Sequence, residues 1–127
     1  MEPQDKQRLA RQNDMSKEAR AIRLRAARHA VGMAQTDLGT AVGVTGKAVG
    51  EMESGRNPPS DSVMRYLFYE HRIDFNFLMN GDYAQLPGDV QERLFPALEA
   101  ASSEWERKAN SGPRRPGRPP KQPQTEP

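Results

Sequence analysis

Gln35-Thr36-Asp37-Leu38-Gly39-Thr40-Ala41-Val42-Gly43-Val44-Thr45-Gly46-Lys47-Ala48-Val49-Gly50-Glu51-Met52-Glu53-Ser54-Gly55-Arg56 decides the fold. A helix begins near Ala34 and runs through Leu38 to Val42, and Gly43 stops it. Thr45 then supplies a side-chain oxygen that can accept from the unpaired N–H groups of a new first turn, so a further helix is predicted over 46–53. Apolar residues stand at 38, 42, 44, 49 and 52. Leu38 and Val49 can meet only if the two short helices cross steeply about the turn.

Outward from this pair the pattern stays helical. Ser16 is a predicted N-cap for a helix over 17–31, with Leu24, Ala27 and Val31 at spacings of three and four and Gly32 as its stop. Asn57-Pro58-Pro59-Ser60 is a loop. The next helix runs from Ser60 to His71 with Val63, Met64, Leu67 and Phe68 as its inward stripe. Ile73-Asp74 caps a short helix, Phe75 to Met79, closed by Asn80-Gly81. Short loops between such helices predict a compact all-α, five-helix bundle over residues 16–82.

The flanks read differently. Residues 1–15 are a polar leader without a clear core face, with at most a turn or two of helix between Gln4 and Gln12. Over 88–109, Val90, Leu94, Leu98, Ala101 and Trp105 share one helical face, and Pro96 predicts a kink or two abutting helices. That stripe can pack back on the bundle or pair with a second subunit. Residues 110–127, rich in proline, glycine, arginine and glutamine, are predicted to be a disordered basic tail.

Composition narrows the chemistry. The 127 residues contain no cysteine, which removes disulfides, thiolate metal sites and a cysteine nucleophile. His29 and His71 lack carboxylates at metal-ligand spacing or a triad context, and no phosphate-cradling glycine loop follows a strand. The chain is therefore expected to be no enzyme, with no metal, cofactor or small-molecule substrate. No apolar run reaches the roughly 20 residues needed to span a bilayer, and the N-terminus has no signal-peptide core. A cytoplasmic protein without membrane contact is expected. Net charge is only +2. Basic residues nevertheless crowd two stretches: Arg20, Arg23, Arg25 and Arg28, then Arg107, Lys108, Arg114, Arg115, Arg118 and Lys121. Such local clusters suit phosphate binding.

A short helix that projects beyond a steep crossing fits a major groove about 12 Å wide. At these residues the sequence resembles the phage repressor/Cro-type (XRE-like) helix-turn-helix domain, from about Ser16 to Asp82. The resemblance rests on Arg28 seven residues before Gln35, on Gln35-Thr36-Asp37-Leu38, on Gly43-Val44-Thr45, on Glu53 through Ser60, and on Ile73 through Gly81. It implies a regulator, a repressor foremost, that binds double-stranded DNA at a palindromic operator as a homodimer. It also implies that Gln35 anchors a phosphate and braces the recognition helix. Thr45, Gly46, Lys47 and Glu51 would face bases or phosphates, and Ser54, Arg56 and Asn57 would touch phosphate. Arg28 and Glu53 match a partly buried ion pair that holds the fold.

Departures from the family pattern are visible too. Gly46 and Gly50 lie in the recognition helix, each costing on the order of 1 kcal/mol relative to alanine, and neither can read a base. Gly39 stands where alanine is usual, and Met52 where an aromatic is common. Base readout is therefore expected to be sparse, with reliance on DNA shape. The run Arg114-Arg115-Pro116-Gly117-Arg118-Pro119-Pro120-Lys121 resembles a relaxed AT-hook, although Pro116 stands where arginine is preferred. It is either a minor-groove binder or a basic tail with phosphate affinity alone. The rival reading is a helix-turn-helix antitoxin or adaptor that acts through protein contacts.

Overall fold

The computed structural model describes residues 1–111, and among them the chain is all-helical. Its helices are α1 (Pro3–Ala10), α2 (Lys17–Ala30), α3 (Gln35–Val42), α4 (Gly46–Glu53), α5 (Asp61–His71), α6 (Phe75–Asn80) and α7 (Gly88–Asn110). The tail over 112–127, including Arg114, Arg115, Arg118 and Lys121, lies outside the described residues.

Local chemistry starts and stops most of these helices. The hydroxyls of Ser16, Thr45 and Ser60 accept from Ala19, Ala48 and Val63 N–H at 3.1, 3.0 and 3.3 Å. Asp74 Oδ1 accepts from Phe77 N–H at 2.9 Å. Each satisfies one of the donors that a helix start leaves unpaired. Gly43 and Gly81 close α3 and α6 with φ near 80°, the left-handed region that glycine enters without a Cβ penalty.

One continuous core joins all seven helices. Leu9, Ile22, Leu24, Leu38, Val49, Val63, Leu67, Phe77, Leu78, Leu94 and Leu98 are buried together. Four sequence expectations change here. The leader contains α1, which buries Leu9 and Ala10. A two-turn helix is marginal alone, and tertiary contact with α7 stabilises it. Lys6 shows how: its ammonium donates to Gln91 at 3.1 Å and lies over the rings of Tyr83 and Phe95. Secondly, Pro96 does not divide the C-terminal helix, since α7 runs unbroken as one helical span with Pro96 exposed on its outer side. Thirdly, Val90, Leu94, Leu98 and Ala101 are buried within this chain, with α7 packed mainly along α2, so that stripe is not open to a second subunit. Fourthly, Phe68 points outward and is 47% exposed, and Val44 at the turn is exposed too. No described helix is long and apolar enough to cross a membrane.

The steep crossing of α3 and α4 depends on small residues. A Cβ on Gly39 would sit 2.7 Å from Val44 O and 2.9 Å from Thr45 C. A Cβ on Gly46 would sit 2.8 Å from the Thr36 methyl. The alanine usual at position 39 would collide with backbone here, so glycine lets the turn fold back this closely. Gly50 differs. Its added Cβ would find nothing nearer than Gln35 Oε1 at 3.4 Å, the end of a flexible side chain. Gly50→Ala is therefore expected to raise stability by about 0.5–1 kcal/mol through reduced backbone entropy in the unfolded chain. Urea denaturation reads this directly, and an unchanged or lower midpoint would count against it.

Candidate nucleic-acid interface

α4 has an inner and an outer face. Val49, Met52 and Glu53 are buried, whereas Thr45 and Lys47 are exposed and Ser54 is exposed just after the helix ends. Helix is maintained through both Gly46 and Gly50. A propensity penalty at two of eight positions is overcome by packing of the inner face.

What fixes the direction of α4 is a web of charges centred on Glu53. Its carboxylate accepts from Arg28 Nε at 2.5 Å and Arg28 Nη2 at 3.0 Å, a forked pair between two buried side chains. Gln35 Nε2 donates to the same carboxylate at 3.1 Å and Arg25 Nη1 at 3.3 Å. Arg28 Nη1 donates onward to Met33 O at 2.7 Å. Arg25 reaches Glu104 of α7 at 2.8 Å, and Glu104 meets Lys108 at 3.5 Å. One carboxylate at the end of α4 is thus tied to α2, to the start of α3 and, through Arg25, to α7. His29 lies at the rim, its Nε2 3.4 Å from Arg28 Nη2. Although much of the residue is exposed, burial of its ring, and next the Arg28 and Arg25 cations, draws its pKa below the usual imidazole value.

The other sequence-derived residues gather at the two ends of α4. Gln35 is half-buried, and its amide is engaged by Glu53. Thr45 spends an oxygen lone pair on the cap and keeps its O–H. Lys47 is exposed and forms no ion pair among the described residues. Glu51 does not extend freely outward, because its carboxylate accepts from Asn57 Nδ2 at 3.2 Å. Its carbonyl oxygen accepts from Ser54 Oγ, Arg56 N and Asn57 N at 3.0, 3.0 and 3.2 Å. The turn after α4 is therefore wound about one residue, and it presents Arg56 outward.

The first arginine cluster is largely an internal device. Arg23 is 0% exposed and Arg28 5%, and Arg25 is ion-paired twice. Charge in the sequence cannot tell an arginine that faces phosphate from one spent on carbonyls and carboxylates inside the bundle. Arg25 and Glu104 are members of the web that sequence reasoning did not find. The i, i+3 spacing of Arg25 and Arg28 on α2 was the available signal for the first, and nothing local signals the second.

Residues 21–68, from α2 through most of α5, match a family model described as a helix-turn-helix domain. Over that segment the chain is similar to a helix-turn-helix domain. No curated protein and no solved structure matched the chain. Within the matched segment, α3 and α4 are the two helices joined by the tight turn at Gly43. α1, α6 and α7 lie outside the match and complete the core around it.

Proposed function

We propose that this chain is a sequence-specific transcription regulator of the phage repressor/Cro kind, which inserts α4 into the major groove and represses by occupying its operator. The supporting observation is the division of α4: an inner face locked through Glu53, and an outer face that offers Thr45 and Lys47 with Arg56 beside it. Lys47 donates to guanine O6/N7 or a phosphate. Thr45 donates to phosphate or packs on a thymine methyl, and the free first-turn N–H groups at Gly46 and Lys47 favour an anion. Arg56 and Ser54 hold the flanking backbone, as do Gln35 through its second amide hydrogen and the tail arginines Arg114, Arg115 and Arg118 with Lys121. Glu51 and Asn57, already bonded to each other, shape the turn and contribute less to readout. The regulator binds a palindromic site as a homodimer, and its affinity falls steeply with salt.

Selection of bound genomic fragments, followed by titration at two salt concentrations, tests this. A consensus site is expected, and Lys47→Ala should lose about 1–3 kcal/mol on it while losing less on random duplex. An equal loss on every sequence would move Lys47 to the phosphate backbone. Absence of any site preference would overturn the regulator reading in favour of an adaptor.

A further inference from the structure

One member of the first arginine cluster has no task inside the bundle. Arg23, Arg25 and Arg28 are spent on carbonyls and carboxylates. Arg20 forms no ion pair, and its covered Nε finds no acceptor among the described residues. It shares a shallow cleft with Lys17 in the first turn of α2 and with Arg56 and Asn57 in the turn after α4. Gly55 brings these two stretches together, since a Cβ there would lie 3.6 Å from Lys17 O. Lys17 and Arg56 are exposed and, like Arg20, without an ion pair among the described residues. No carboxylate lines this cleft. The neighbouring groove between α2, α4 and α7 is the opposite case, because there Glu18, Glu53 and Glu104 offset Arg25 and Lys108.

We propose that Lys17 and Arg20, with Arg56, form a phosphate clamp that extends duplex DNA contact from α4 onto the start of α2. The clamp rests on the reading that α4 meets DNA, and it adds grip on the backbone without sequence choice. Three uncompensated cations around one cleft repel one another, and a phosphate diester relieves that repulsion. The start of α2 adds its own positive end: Ser16 caps the Ala19 N–H, while the N–H groups of Lys17 and Glu18 have no partner within the helix. The cleft, at ≈ 40 Å³, is far below the roughly 300 Å³ of a small-molecule pocket. It admits the oxygens of a backbone phosphate and not a whole nucleotide. Arg56 stands just past the end of α4, so a strand that flanks that helix meets the clamp. Lys17 and Arg20 precede the matched residues 21–68, so likeness to a helix-turn-helix domain does not supply them.

Fluorescence anisotropy on a random duplex and on a selected genomic fragment, each across a salt series, tests this. Lys17→Gln and Arg20→Gln should each weaken binding about three- to tenfold near 0.1 M salt, by the same factor on both duplexes, and each should lower the salt slope by about one. Arg20→Lys keeps the charge and should recover most of the loss. Arg93→Gln removes the same charge from an exposed position of α7, about 18 Å along that helix from Trp105, whose ring lies against Gly55. It should bind as the parent does. Lys17 is exposed, so its glutamine variant should also melt with the parent. Parent-like affinity in both glutamine variants, or an equal loss in Arg93→Gln, would overturn the clamp and leave a site-preferring chain a regulator. A chain without site preference whose glutamine variants still lose random duplex would keep the clamp and overturn the regulator reading. A chain that binds neither duplex overturns both.

Discussion

Replacing Arg23 with methionine is expected to cost about 3–5 kcal/mol, a large share of the roughly 5–15 kcal/mol that holds a typical domain folded. The side chain is 0% exposed, and its guanidinium donates to five backbone carbonyls. These are Ala10 and Arg11 at the end of α1 (2.9 and 3.0 Å), Asp14 in the following turn (2.7 Å), and Leu78 and Met79 on α6 (3.1 and 2.9 Å). Carbonyls at a helix C-terminus have no partner in their own helix, and here one planar fork caps two such ends together. Burial lowers the Arg23 pKa to about 10, well above neutrality, so the cation is retained. Asp14, whose pKa is itself lowered first by hydrogen bonds from Ser16, adds a favourable charge. Methionine fills much of the volume and leaves five acceptors without a donor. Thermal unfolding followed by circular dichroism should show a fall on the order of 10–20 °C. Arg23→Lys, with three donors on a shorter reach, should recover only part of it. A loss under about 1 kcal/mol for methionine would mean that water replaces the guanidinium and that the hub is dispensable.

That hub also shows what a sequence can and cannot disclose. Ser16, Thr45 and Asp74 were legible as caps because a cap acts on N–H groups two or three residues away. Gly43 and Gly81 were legible for the same local reason. Arg23 was not, because its partners stand at sequence separations up to 56 residues and are carbonyls, which every residue possesses. A turn or two of helix was allowed between Gln4 and Gln12, but the core face of α1 escaped notice because its apolar content is little more than Leu9 and Ala10, and its stability comes from α7. Phe68 fits the inward periodicity as well as Leu67 does, yet it is exposed while Leu67 is buried. At the candidate site, family resemblance pointed to Arg28 and Glu53, whereas the link from Arg25 to Glu104 needed α7 in place. Gly39 looked like a weak departure from alanine. The approach of Val44 O to its Cα hydrogen side makes it a requirement of the turn.

Glu53→Gln is the complementary expectation, and it separates stability from positioning. Amide for carboxylate preserves shape, but it leaves the buried Arg28 without a counter-charge and presents an NH₂ where four N–H donors already converge. Breaking one partner of a buried ion pair costs about 3–5 kcal/mol, most of it from the stranded charge. Removing both partners is different, because an apolar pair of similar volume is often neutral or better. An Arg28→Met, Glu53→Leu chain is therefore expected to lie within about 1 kcal/mol of the parent by urea denaturation, while the single change falls well below it. In the double variant Gln35 and Arg25 also lose their common acceptor, so the side-chain bonds that tie the end of α4 to the second half of α2 and to the start of α3 are gone. On the reading that α4 enters the major groove, this stable protein should bind its best site about tenfold more weakly or worse, with random duplex little affected, since a small rotation of a recognition helix misplaces every base contact together. If the double variant instead binds its site as tightly as the parent, the web around Glu53 holds the bundle together and has no part in aiming α4.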